Sequence, residues 1–133
     1  MNDAKRELLM SYIKSNVAPI LVDFIDGNNI PNSVVLPANC EMTELNGHYD
    51  NIEFVSPDWL NKIKNYSTPT ILVIDKIDNI PKDEQTKFVE ILKYRKVSTF
   101  ELPKNTIILV TAKEISESTI NEEIYSLVAH IKG

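Results

Sequence analysis

The chain has 133 residues, 43% of them hydrophobic and 25% charged, which is the make-up of a single soluble globular domain with one core. Its net charge of −5 argues against general attraction to nucleic acid. One cysteine, Cys40, with His48 as the only histidine near it, excludes a disulfide framework and a zinc site. The opening stretch "MNDAKRELLMSYIKSN" breaks every apolar pair with polar residues, so neither a signal peptide nor a membrane span is expected and a reducing, cytoplasmic setting is.

Leu8, Leu9, Tyr12 and Ile13 recur at helical spacing over residues 3–15, with Asp3 as N-cap, and predict an opening amphipathic helix. The apolar run 17–25, "VAPILVDFI", fits either a strand or a short helix after Pro19, because periodicity alone does not separate them. "DGNNIPN" reads as a turn, and residues 33–39 as a short β-branched strand stopped by Pro37. Residues 40–68 are polar. Within them Ser56 as N-cap and Pro57 in the first turn predict a helix bearing Trp59, Leu60 and Ile63.

"TILVID", residues 70–75, is apolar without alternation, as a central strand covered on both faces should be. Asp75 then falls at the carboxyl edge of the sheet. Pro81 opens a helix expected to run to about Arg95 with Phe88, Ile91 and Leu92 inward. "NTIILVT", 105–111, is a second central strand. Ser116 or Ser118 is the expected cap of a last helix carrying Ile120, Ile124 and Leu127, and "VAHIKG" follows as an edge strand. Strands alternating with helices imply a three-layer α/β fold with a mostly parallel sheet, whose chemistry gathers beyond the carboxyl ends of the strands.

Lys82, Lys87, Lys93, Arg95, Lys96 and Lys104 follow Asp75, whereas acids dominate residues 41–58 and 114–123. A solvated helix face is the first reading of the lysines, and a local nucleic-acid patch the weaker alternative. Trp59, Lys87, Tyr94, Arg95 and Lys96 are candidate interaction residues, with Trp59 read as a core or interface anchor before a ligand stacker.

In order along the chain, Pro57, Trp59, Leu60, Asp75, Ile77, Pro81, Gln85, Leu92, Arg95, Leu102 and Pro103 form a pattern that resembles the central part of AAA+ ATPases, most closely the MoxR and dynein-related branch. That resemblance implies a single truncated AAA+-like domain over residues 1–133, a P-loop NTPase-like core. Asp75, Lys76 and Asp78 stand at the Walker B-like positions and Thr111 and Lys113 at the sensor-like ones. Asp75 is the one candidate metal ligand.

Several functional positions depart from that pattern. The three glycines stand at 27, 47 and 133 and no Gly-Lys-Ser/Thr occurs, so the phosphate loop is missing. Lys76 replaces the acid that would activate water and is expected to pair with Asp75 or Asp78. The sensor asparagine falls on Lys113, and the arginine of the last helix falls near Ser126 and Leu127. The implied function is a non-catalytic interaction or regulatory module. It should need no cofactor, bind ATP and Mg²⁺ at most weakly at Asp75, and have another protein as partner, an AAA+ ATPase among the candidates.

Asp75 also has a plainer reading, as a strand-end acid capping the next turn. A second class of protein competes as well. Asp75 ending a central strand, Thr111 and Ala112 ending the next, Lys132 after the last, and Asp23 with Asp26 on the first resemble a receiver, or phospho-acceptor, domain. Against it, little chain lies between Ile25 and Ser33 for the first crossover helix. A third reading is a small binding module that uses its basic helix on a protein or nucleic acid.

Overall fold

A computed structural model describes residues 3–16, 18–30, 32–64 and 70–133, so position 17 of the ambiguous apolar run and residues 65–69 lie outside it. Helix α1 (Asp3–Ser15) opens the chain with Asp3 inside its first turn. The ambiguous run resolves as a strand, β1 (Ile20–Asp23), and β2 (Ser33–Pro37) follows. Next come α2 (Met42–Asn46), the hairpin β3 (His48–Asp50) and β4 (Glu53–Val55), and α3 (Asp58–Lys64). The central strand is β5 (Thr70–Asp75). After it stand α4 (Val89–Tyr94), a second small hairpin of β6 (Lys96–Val97) and β7 (Phe100–Glu101), then β8 (Thr106–Ala112), α5 (Glu122–Leu127) and β9 (Ala129–Ile131).

Five strands form one parallel sheet in the order β2-β5-β8-β1-β9. Because side chains alternate along a strand, each central strand feeds two cores. Leu21, Leu72, Ile74, Ile108 and Val110 point to one face. There they pack with Leu60 and Ile63 of α3, Ile91 and Leu92 of α4, and Ile124 of α5. Ile20, Val22, Val73, Ile107 and Leu109 point to the other face, where Leu9 of α1 covers them with Tyr12 and Ile13 against the edge of the cluster. Burial on both sides is why these strands read as unbroken apolar runs.

The order forces an unusual crossing. From the carboxyl end of β1 the chain must pass β8 and β5 to start β2, and between them the described residues of 24–32 hold no α-helix. Parallel connections generally take about a dozen residues or more. The segment crosses as a strap with one 3₁₀ turn, Gly27–Asn29, capped by the Asp26 carboxylate accepting from Asn28 N–H at 3.0 Å.

Three expected details differ. The helix after Pro81 is split into a 3₁₀ turn, Glu84–Phe88, and α4, so its inner face turns with a tighter period before Val89. The last helix is capped by Asn121, whose Oδ1 accepts from Glu123 and Ile124 N–H, while Ser116 and Ser118 bond to one another upstream. Ser56 donates to the Asn61 side chain at 2.7 Å.

Candidate functional site at the carboxyl edge of the sheet

Asp75 ends β5, flanked by β2 and β8, and its side chain is buried with the residue 7% exposed. Its Oδ1 accepts two hydrogen bonds, from the Thr111 hydroxyl at 2.7 Å and from Gly27 N–H at 3.0 Å. Thr111 in turn accepts from Lys76 N–H at 2.8 Å. That last bond requires the backbone to reverse sharply after β5, and Lys76 takes a left-handed conformation, φ 60° and ψ 58°, which costs about 1–2 kcal/mol for a non-glycine residue. No partner for Asp75 Oδ2 is found among the described residues.

The strap is what closes this site. A Cβ at Gly27 would lie 2.6 Å from Asp75 Oδ1 and 2.8 Å from Val73 Cγ1, so only glycine lets the backbone come close enough to donate. Gly27 N–H thus takes one of the lone pairs a metal or an incoming phosphoryl group would use. Asp78 makes a second bridge. Its carboxylate accepts from Lys113 N–H at 3.1 and 3.0 Å and from Glu114 N–H at 3.3 Å, tying the turn after β5 to the loop after β8. The expected pairing of Lys76 with Asp75 or Asp78 does not form; Asp75 is bonded by Gly27 N–H and the Thr111 hydroxyl, and Asp78 by Lys113 and Glu114 N–H. The ion pairs among the described residues are Lys5–Asp23, Lys82–Glu122 and Lys93–Glu123.

The structure disperses the receiver-like set. Asp23 is buried in an ion pair with the Lys5 ammonium, which also donates to its backbone carbonyl at 2.7 Å, and Gly133 N–H donates to Asp23 Oδ1 at 3.2 Å. Asp26 is engaged as the strap's cap. Lys132 follows β9, which β1 and β8 separate from β5, so about 14 Å of sheet lies between them. Among the described residues no group of three or more His, Cys, Asp or Glu side chains could share a metal ion.

The candidate interaction residues divide. Trp59 is 4% exposed with its indole N–H on Leu45 C=O at 3.0 Å, an anchor of the core. Arg95 is internal mortar. It caps α4 in a left-handed conformation and donates to the carbonyls of Pro103 at 3.0 Å and Thr106 at 2.6 Å. Lys87 reaches Cys40 C=O at 2.7 Å, while burial pushes the Cys40 thiol up and keeps it protonated at neutral pH. Tyr94 and Lys96 are exposed.

Sequence reasoning missed the outer rim. The β3–β4 hairpin holds Tyr49 72% exposed and Ile52 94% exposed beside the turn at Asn51. Gly47, at φ 81°, sets the hairpin's start, since a Cβ there would lie 2.4 Å from Val55 C=O. Alternation over three residues per strand is too short a signal to read, although an asparagine flanked by β-branched and aromatic residues is a recognisable turn.

No family model matches the chain, and no curated protein matches it. Solved structures do. Two crystal structures of NtrX from Brucella abortus superpose on 99% of this chain, one with TM-score 0.60 at 15% identity and one, in complex with ADP, with TM-score 0.58 at 14% identity. The chain spans 36% of the length of each. At that identity the likeness shows the fold alone. The resemblance drawn from the sequence is corrected as well: the MoxR and dynein-related AAA+ assignment, with its P-loop NTPase and Walker B labels, finds no family match, and these two similar structures are NtrX. Much of the pattern from Pro57 to Pro103 is accounted for by packing, because Trp59, Leu60, Ile77, Gln85, Leu92 and Leu102 are all buried.

Proposed function

We propose that this chain is a non-catalytic regulatory domain that works through contact with another protein, and that Asp75 is its candidate phospho-acceptor. The likeness to NtrX, a response regulator, supports the regulatory reading, and the Asp75–Thr111 pair at the carboxyl edge of the sheet supports the acceptor. The Asp75 Oδ2 oxygen would attack the phosphorus of a small acyl phosphate, and the acyl–oxygen bond to phosphorus would break with release of the carboxylate. The receiver-like character is limited to this edge. The strand order differs from the flavodoxin-like order 2-1-3-4-5, and neither Asp23 nor Lys132 stands beside Asp75.

Incubation with acetyl phosphate and Mg²⁺, followed by intact-mass measurement, should add one phosphoryl group that Asp75→Asn abolishes. An unlabelled wild-type chain would remove the acceptor and leave contact alone as the mode of action, a second reading favoured by the two donors already seated on Asp75 Oδ1. Nucleotide is proposed to bind at most weakly, since the segment after β1 offers one glycine and that glycine faces Asp75. No cation beyond the Mg²⁺ carried by the phosphoryl donor is proposed. Among the described residues no helix is long and apolar enough to cross a membrane.

A further inference from the structure

Strand β2 is an edge of the sheet, and among the described residues no other strand pairs with its outward side. The bonds Ile71 N–H to Asn32 C=O and Ala38 N–H to Asp75 C=O fix which residues face β5. In a parallel ladder alternate residues bond to the same neighbour, so Val34 and Leu36 face β5 while Ser33 and Val35 turn their N–H and C=O groups outward. Pro37 closes the open stretch, having no N–H and lending its C=O to Cys40 N–H at 3.0 Å. Against this edge lies a groove of about 370 Å³, with Val35, Pro37, Val55 and Trp59 among its apolar lining.

The groove's charge is set by its surroundings. Glu44 and Asp58 line it together with Lys62, and residues 41–58 hold Glu41, Glu44, Asp50, Glu53 and Asp58 without a lysine or arginine. We infer that this edge receives an extended, basic segment of a partner protein, which adds a strand beside β2 through Ser33 and Val35. Main-chain bonds hold such a segment, and alternate side chains choose it. The inference is independent of chemistry at Asp75, which lies on the neighbouring strand and does not line the groove.

Three kinds of peptide test it on the whole chain by amide NMR titration: acetylated and amidated Lys-Val-Lys-Val-Lys, its Glu-Val-Glu-Val-Glu counterpart, and the basic peptide N-methylated at alternate residues in each of the two registers. The basic peptide should bind saturably and shift the Ser33 and Val35 amides. The acidic one and one of the two methylated ones should bind at least about tenfold more weakly, the loss of roughly 1.4 kcal/mol of contact. Leaving the protein unaltered avoids a Val35→Pro variant, whose missing N–H could be confused with misfolding. Absence of saturable binding, equal affinity for the acidic peptide, or methylation without effect in both registers would overturn the inference. So would concentration-dependent self-association shifting the same amides, which would give the edge to a second copy.

Discussion

The carboxyl edge around Asp75 and the rim from residue 41 to 58 are opposite in construction. At the edge, Asp75, Asp78, Thr111 and Gly27 are tied into hydrogen bonds between neighbouring segments, and the strap from β1 to β2 runs through the middle of them. At the rim, a hairpin of two three-residue strands carries exposed Tyr49 and Ile52, the segment 41–58 holds acids and no lysine or arginine, and the edge strand β2 turns backbone groups outward. The first arrangement uses its polar groups to hold the strands in place. The second has groups left over, and leftover groups are what a partner can use.

That contrast can be broken by mutation. The largest expected effect comes from Asp23→Ala, which removes the carboxylate from the buried Lys5–Asp23 ion pair and should cost about 3–5 kcal/mol in urea denaturation. Gly27→Ala should cost about 1–3 kcal/mol, because its Cβ overlaps Asp75 Oδ1 and Val73. A loss confined to the strap would appear as faster exchange of the 24–30 amides with β5 still protected. Asp75→Ala strips the acceptor from the Gly27 and Thr111 donors and should cost about 1–3 kcal/mol, again by denaturation. Smallest is Ile52→Ser on the hairpin tip, expected to change stability by no more than about 0.5 kcal/mol. A cost of several kcal/mol there would show that the rim is part of the core and erase the contrast.

Legibility in the sequence follows the same division. Residues 70–75 and 105–111 could be read because burial on two faces leaves an unbroken apolar run, where a half-exposed strand would alternate and a surface helix would repeat every three or four residues. The strands at Thr70–Asp75 and Thr106–Ala112 fall where the runs do. Asp75 and Thr111 were visible for the same reason, as polar residues that end such runs. Gly27 was not, because nothing local distinguishes it from any turn glycine; only the order of strands in space brings it under Asp75. The cap of α5 was misplaced because Ser116, Ser118 and Asn121 are all capping residue types, and Asn121 wins through its N–H bonding Gln85 Oε1 at 2.7 Å in the core. The family likeness rests largely on buried positions such as Trp59, Leu60, Ile77 and Leu92, and packing positions do not by themselves identify a family.

The most direct test is a calorimetric and thermal-shift titration with ADP, ATP and Mg²⁺, since one of the matched NtrX structures is an ADP complex and any ligand of the folded state raises its apparent stability. With Gly27 and Thr111 already donating to Asp75 Oδ1 and no glycine-rich loop to cradle a nucleotide's phosphates, there should be no heat and no shift up to millimolar nucleotide. A saturable shift that Asp75→Asn removes would place a nucleotide site at this edge and would contradict the proposal that nucleotide binds at most weakly.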